Sequence, residues 1–422
     1  MAEILNSRAV LVSIAERGSN VEECNTSLDE LERLLNTAGG ECYAKIIQVK
    51  ESFDPRTCIG SGKVEEIKEL CRNNDIKLIV FDFELTPAQI RNLESDIGDV
   101  TVIDRSMLIL DIFALHAISG EGKLQVELAQ LKYTAPRLTG KGLELSRQGG
   151  GIGSRGPGES KLETDRRHLH ERVVNLEKKL EELEENRAVM RSARDRSGIV
   201  KIALVGYTNA GKSTLLNKLT GAEVLCEDKL FATLDPTTRK TELPSGVSVL
   251  FTDTVGFIRK LPHHLVKAFK STLDEVKYAD ILLIVSDAKD PEASAHLDVT
   301  REIISDLGAS DKHILYVYNK CDGLENCDYG RVNENTVAIS ARYGDGIDEL
   351  LSMLDELVNR EKRKVSLIIP YSEQSLINVL YKTYQVDSTE YTDNGTLVNV
   401  VLDKKGLGQY SQYLINKEDV NG

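Results

Sequence analysis

The sequence predicts a multidomain α/β chain: an N-terminal α/β domain with a long antiparallel helical hairpin, a doubly wound P-loop domain, and a small α+β C-terminal domain. Three observations predict it. Short β-branched runs alternate with amphipathic stretches before residue 123 and again over 197–361, the pattern of strands joined by crossover helices. A glycine-rich segment at 139–158 separates two helical patterns, the second with heptad spacing. Residues 206–214 fit GxxxxGK[ST] between a strand and a helix. The length, 422 residues, matches about three domains.

In the first domain (1–123), Ala9 to Ile14, Tyr43 to Val49, Lys77 to Phe83 and Val100 to Ile103 are the strands. Leu28, Leu31, Leu34 and Leu35 share one helical face, as do Ile67, Leu70 and Cys71. Thr86 followed by Pro87 is an N-cap before an N1 proline and opens a helix toward Leu93. Over 124–196, LQVELAQLKYTAPRL is helical to about Tyr133, where Pro136 ends or kinks it. Residues 139–158 hold eight of the chain's 31 glycines, too few side chains to fix one conformation by packing. Leu162, Leu169, Val173, Leu176, Leu180, Leu183 and Met190 then form a heptad seam, which folds back on the preceding helix within one chain and leaves a monomer. Over 197–361, IVKIALVG, VSVLFTDTVG, ILLIVSDA, HILYVYNK and TVAIS are buried strands alternating with helices. Over 362–422, a strand at Val365 to Ile369, a helix at Ser372 to Thr383 and a strand pair around Asp393-Asn394-Gly395 make the last domain.

Composition excludes several classes. Hydrophobic residues at 41% and charged residues at 28% exclude collagen-like and wholly disordered chains. A net charge of −14 excludes a basic nucleic-acid coat, so any RNA contact is local. One segment fits: residues 132–161 carry six cations (Lys132, Arg137, Lys141, Arg147, Arg155, Lys161) against Glu144 and Glu159, a local net of +4. A solvated linker is the alternative reading of the same loop. Seven scattered cysteines without ligand spacing read as reduced thiols. The start has no basic leader and no apolar run spans a bilayer, so a cytoplasmic protein is expected.

The chemistry gathers in the third domain. Gly206, Tyr207, Thr208, Asn209, Ala210, Gly211, Lys212, Ser213 and Thr214 form a phosphate-binding loop: glycines turn backbone N–H groups inward, Lys212 reaches the β- and γ-phosphates, and Ser213 holds Mg²⁺. Asp253, Thr254, Val255 and Gly256 end a strand where the carboxylate supports the magnesium shell and the glycine N–H senses the γ-phosphate. Asn319, Lys320, Cys321 and Asp322 decide the base, because a carboxylate accepts from both the ring N–H and the amine of guanine, a donor pair adenine lacks. Ser340, Ala341 and Arg342 follow the next strand, near the guanine oxygen. In order, these four elements make a P-loop GTPase domain acting on GTP with Mg²⁺. Between the first two, Leu230 to Arg239 is the candidate first switch, with Thr233, Thr237 and Thr238 as open choices for the magnesium hydroxyl.

Decoys remain decoys. Gly60-Ser61-Gly62-Lys63 lacks the earlier glycine of a full phosphate motif and reads as a helix-opening turn. His263 and His264 have no acidic partner at an interpretable spacing.

The chain resembles the HflX family of ribosome-associated GTPases. GYTNAGKST, FATLDPTTR, DTVGFI, NKCD and SAR look like its nucleotide motifs, and IGSGKVEEI, DRSMLILDIFALHA and GGIGSRGPGESKLETDRR resemble its N-terminal and hairpin signatures. The resemblance implies a nucleotide role for Phe231, Ala232, Thr233, Leu234 and Asp235, and makes Thr233 the second magnesium ligand. Together, Lys212, Thr233 and Gly256 become the catalytic set. Phe257 stands where Ras-like enzymes carry a water-orienting glutamine, which implies that a partner orders the site. That partner, by resemblance, is the large ribosomal subunit, with the hairpin loop (Arg147, Arg155) on ribosomal RNA and ribosome splitting or rescue as the outcome. A ribosome-assembly GTPase and a nucleotide-gated RNA-binding module are the rivals.

Overall fold

The computed structural model describes residues 4–16, 21–138, 157–196, 199–222, 229–260, 262, 265, 269–324, 327–360, 363–402 and 404–415. Four parallel strands, β1 (Arg8–Glu16), β2 (Glu41–Lys50), β3 (Leu78–Phe81) and β4 (Thr101–Asp104), form the first sheet in the order β2-β1-β3-β4. Side chains alternate across it because successive residues of a strand face opposite ways. Ala9 and Leu11 meet the leucines of α1 (Val21–Thr37), while Val10 and Val12 meet Ile67 and Cys71 of α2 (Ser61–Asn74) and Leu93 of α3 (Pro87–Ile97). Thr86 caps α3 through a reciprocal capping box with Gln89. The Gly60–Lys63 turn opens α2, with Gly60 as N-cap and Lys63 paired to Glu66.

Helix α4 (Arg105–His116) is buried over most of its surface: Leu108, Ile109, Leu110 and Ile112 are 0% exposed, and Arg105, Ser106 and Asp111 are buried with them. A helix of that kind needs cover on every side. It sits in a core cluster shared between the first domain and Phe231, Leu234, Val255, Ile258, Leu265 and Phe269 of the P-loop domain.

Helices α5 (Gly120–Leu138) and α6 (Pro157–Arg196) pair as the antiparallel hairpin, with ion pairs Glu121–Arg187, Glu127–Arg172 and Lys132–Glu177, each 2.7 Å. Along α6 the least exposed positions from 166 to 187 are Leu169, Val173, Leu176, Leu180, Leu183 and Arg187, steps of three and four, with Leu176 the most buried. One expectation is corrected: the helix does not end near Tyr133 but runs to Leu138, with Pro136 inside it. Its missing N–H removes one i→i−4 bond, the one the Lys132 carbonyl would accept, and only two helical residues follow it. Residues 139–156, including Arg147 and Arg155, lie outside the described residues, as do His263 and His264.

The third domain is a seven-stranded sheet in the order β10-β11-β9-β8-β5-β7-β6. Its strands are β5 (Val200–Gly206), β6 (Thr237–Glu242), β7 (Ser248–Asp253), β8 (Ile281–Asp287), β9 (His313–Asn319), β10 (Gly330–Asn333) and β11 (Thr336–Ala338). The centre is parallel and both edge strands run antiparallel. Helices α7 (Lys212–Thr220) and α10 (Ile347–Arg360) cover one face, and α8 (Lys270–Tyr278) and α9 (Ala293–Asp306) the other. The last domain pairs β12 (Arg363–Ile369), β14 (Gly395–Leu402) and β13 (Gln385–Thr392) antiparallel, backed by α11 (Ser375–Thr383) and α12 (Lys404–Gln409). Among the described residues, no helix is long and apolar enough to cross a membrane.

Candidate active site

The phosphate-binding loop leaves β5 at Gly206 and enters α7 at Lys212. Two of its glycines are required. Gly206 has φ 148° and a Cβ there would lie 2.1 Å from the Val285 carbonyl oxygen; Gly211 has φ 90° and a Cβ would lie 2.3 Å from Asn319 Nδ2. Asn319 ties the loops together, donating from Nδ2 to the Ala210 carbonyl at 2.9 Å and accepting at Oδ1 from the Ala341 N–H at 2.9 Å.

A cleft of about 60 Å³ opens over the loop, lined by Thr208, Asn209, Gly211, Lys212, Ser213, Thr214, Lys229, Phe231, Ala232, Thr233, Thr254 and Gly256. Lys212 Nζ folds onto its own loop, donating to the carbonyls of Gly206 (3.1 Å) and Tyr207 (2.9 Å). Burial lowers its pKa to about 8, against the pull of Asp253. An arriving phosphate would supply the countercharge this buried ammonium lacks. Lys229 was missed by sequence reasoning, because it precedes the motif that marks the switch.

Three oxygens converge beside Lys212. Ser213 Oγ donates to Asp253 Oδ2 at 2.5 Å and lies 2.8 Å from Thr233 Oγ1. Asp253 is fully buried, burial raises its pKa, and its Oδ1 has no hydrogen-bond partner. An orphaned carboxylate oxygen next to two hydroxyls is a donor set that fits a hard, oxygen-seeking cation such as Mg²⁺. Of the three candidate switch hydroxyls, Thr233 reaches Ser213, whereas Thr238 lies in β6 and bonds Thr252 Oγ1 at 2.9 Å. Thr237 sits in β6 opposite Asp253.

At the guanine end, Asp322 Oδ1 accepts from Ser340 Oγ at 2.7 Å, and Lys289 Nζ lies 3.6 Å from Oδ2. The serine hydrogen bond, with Lys289 adding to it, lowers the carboxyl's pKa and keeps it an acceptor. Lys320 Nζ pairs with Asp287 at 2.8 Å. Cys321 is buried and its thiol is pushed up to about 12, so it packs rather than reacts. Arg342 is exposed, its guanidinium 5.6 Å above the Tyr343 ring.

Several predicted site residues turn their side chains away from the cleft. Leu234 and Val255 join the α4 core. Asp235 accepts from the N–H groups of Ile118 (3.0 Å) and Ser119 (2.7 Å) and from Ser119 Oγ (2.5 Å), holding the first switch to the start of α5. Phe231 and Phe269 flank Phe113 of α4, at 4.8 and 4.5 Å between ring centroids. Tyr207 reaches Glu30 of α1 and stacks on His296 at 3.6 Å.

A P-loop, a magnesium-type oxygen cluster and a carboxylate shaped for guanine, on a doubly wound sheet, define a GTPase. Its relatives say which kind. Four family descriptions match in sequence: GTP-binding GTPase N-terminal (25–114), GTP-binding GTPase Middle Region (116–194), 50S ribosome-binding GTPase (201–320) and HflX C-terminal domain (328–408). GTPase HflX of Lacrimispora saccharolytica is 48% identical over 94% of this chain and 93% of its own. GTPase HflX of Caldanaerobacter subterraneus is 50% identical over 93% and 90%. The chain belongs to the HflX family of GTPases. A GTP-binding protein from the archaeon Sulfolobus solfataricus, solved with GDP, is 26% identical with a TM-score of 0.45, covering 84% of this chain and 99% of its own.

Proposed function

We infer that the protein binds GTP with Mg²⁺ on Ser213 and Thr233, docks on the large ribosomal subunit, and splits or recycles ribosomes while the ribosome stimulates hydrolysis. Mg²⁺ would neutralise the charge on the β- and γ-phosphates. Lys212 stabilises charge on the phosphates, Asp253 supports the metal's water shell, the Gly256 N–H senses the γ-phosphate, and Asp322 selects guanine. Contact with ribosomal RNA falls to the basic hairpin loop, with Arg147 and Arg155 foremost. The protein works as a cytoplasmic monomer.

One observation carries this reading. Both switch segments, the first at 230–239 and the second following Gly256, are fastened to the elements that lead into the hairpin: Asp235 to Ser119 at the start of α5, and Phe231 and Phe269 to Phe113 of α4. A γ-phosphate that rearranges the switches therefore shifts the root of the hairpin, which is the coupling a nucleotide-driven ribosome factor needs. The match of residues 201–320 to a 50S ribosome-binding GTPase description supports the same partner.

The test mixes purified protein with intact ribosomes and GTP or a non-hydrolysable analogue and follows sedimentation. The expected result is conversion of intact ribosomes to free subunits with protein on the large one, and weaker, less salt-dependent binding when Arg147 and Arg155 are both replaced by Ala. Binding confined to immature large subunits would point to assembly instead. A Lys212→Ala variant that binds and acts unchanged would reduce the protein to an RNA-binding module.

A further inference from the structure

Hydrolysis of GTP needs a group that holds the attacking water or the γ-phosphate oxygens in line. The side chain following Asp253-Thr254-Val255-Gly256 cannot do it. Phe257 is 1% exposed and packed among Leu273, Val276 and Leu282 in the core cluster behind β5 and β8. Three other hydroxyls of the cleft are engaged: Thr254 Oγ1 donates to the Leu204 carbonyl at 2.7 Å, and Ser213 and Thr233 belong to the metal corner.

Thr208 is different. It lines the phosphate cleft with Lys212, Ser213, Thr233 and Gly256, is 6% exposed, and its Oγ1 is buried with no hydrogen-bond partner. A buried hydroxyl without a partner costs about 1–3 kcal/mol, so its presence calls for a group that arrives later. Its location says which group. A Cβ placed on Gly256, the γ-phosphate sensor, would lie 2.7 Å from both Thr208 Cα and Cγ2, so Thr208 is in van der Waals contact with the residue that meets the γ-phosphate. The contact is fixed from both sides: the Thr208 N–H donates to the Phe257 carbonyl at 2.8 Å, and the Phe257 N–H to the Gly206 carbonyl at 3.0 Å. The same pair of bonds that turns Phe257 into the core presses Thr208 against the cleft.

We propose that the Thr208 hydroxyl is a catalytic group for GTP hydrolysis, positioning the attacking water against the γ-phosphate in place of the absent glutamine. The reaction is complete without a co-reactant. The water oxygen bonds to the γ-phosphorus, and the bond from that phosphorus to the β–γ bridging oxygen breaks with its electron pair left on GDP. The water's protons pass to a γ-phosphate oxygen and to solvent. Thr208 accepts one water hydrogen and donates its own to a γ-phosphate oxygen, so it needs neither a shifted pKa nor a charge. The proposal rests on the reading of residues 206–214 as the phosphate cradle.

The experiment uses the full-length chain without ribosomes. Single-turnover GTP hydrolysis and the affinities for GDP and GTP are measured for the parent, Thr208→Val, Thr208→Ser and Lys212→Ala. Valine keeps the shape and removes the hydroxyl; serine keeps the hydroxyl and removes the methyl. The expected result is a hydrolysis rate about tenfold to a hundredfold lower in Thr208→Val, the loss of one hydrogen bond in the transition state, nucleotide affinities within about threefold of the parent, and recovery in Thr208→Ser. A Thr208→Val rate within about twofold of the parent overturns the proposal, and so does a serine variant as slow as valine, since packing on Gly256 would then be the whole role. A Lys212→Ala protein that binds GTP as tightly as the parent overturns the phosphate-cradle reading itself.

Discussion

Asp322 shows how a single residue's chemistry is set by its neighbours. Its carboxylate accepts from Ser340 Oγ on one oxygen and faces Lys289 on the other, and Gly323 makes room for that lysine, since a Cβ there would lie 1.7 Å from Lys289 Cε. The two partners differ in worth. A direct hydrogen bond to a charged group contributes about 1.5–3 kcal/mol, whereas a half-exposed ion pair at 3.6 Å contributes a few tenths to about 1 kcal/mol. Ser340→Ala should therefore raise KM for GTP about tenfold, and Lys289→Ala about twofold to threefold, both with kcat nearly unchanged because the guanine end lies apart from the reacting bond. Steady-state kinetics on both variants check this; a Lys289 effect larger than the Ser340 effect would reverse the ranking. The motif Asn319-Lys-Cys-Asp322 was legible in the sequence because its spacing is local. Lys289 was not, because it reaches Asp322 from the end of a different strand.

Helix α4 is where the sequence said least and the structure says most. Its run of Leu108 to Phe113 is broken only by Asp111, so periodicity gives no hint of what it packs against. The structure puts the P-loop domain's switches on it: Phe113 meets Phe231 from the first switch and Phe269 from the second. Phe231 holds φ 57°, a left-handed conformation costly for a bulky side chain, and its burial against Phe113 is what maintains it. Phe113→Ala should destabilise the folded chain by about 3–5 kcal/mol by opening a cavity, and should release Phe231 from that conformation. Urea denaturation reads the first effect and protease sensitivity of the first switch the second; an unchanged midpoint would mean that the aromatic cluster is not under load. Elements with strong local signals were read closely: the Thr86-Pro87 cap, the α6 seam and the buried strands of the P-loop domain. Short or edge elements such as β10 and α12 escaped because four to six residues give too little pattern, and the end of α5 was set too early because a proline two residues from a helix end costs one hydrogen bond without stopping the helix before it.

Across the whole molecule, the first and third domains are joined by a buried charge network no spacing rule could have found. Asp82, 0% exposed, accepts from Arg105 (2.8 Å) and Ser27 (2.6 Å) of its own domain and from Lys260 (2.6 Å) of the other, and Arg105 also reaches Glu30 (2.5 Å) and the Arg259 carbonyl (3.1 Å). Burial works against the Arg105 charge, and Glu30 and Asp82 hold it in place. At the rim, His296 stacks flat on Tyr207 and sits 3.2 Å from Asp290. The groups around it are mixed: Asp290, Glu30 and Glu292 favour its proton and Arg259 opposes it. Burial outweighs them and lowers its pKa below 6.5. The sign of the pH effect follows. The unfolded chain binds a proton on this imidazole near pH 6.5 while the folded chain resists it, so the unfolded state holds more protons in that window. His296 therefore contributes stability that is fully present above pH 6.5 and is lost as the pH falls toward its folded value. Denaturation midpoints measured between about pH 7 and 5.5 should fall with acid in the parent and fall less steeply in His296→Gln, which cannot take up the proton. Equal slopes in the two proteins would show that the interdomain contact is indifferent to this imidazole and that the acid sensitivity of the joint lies with its carboxylates.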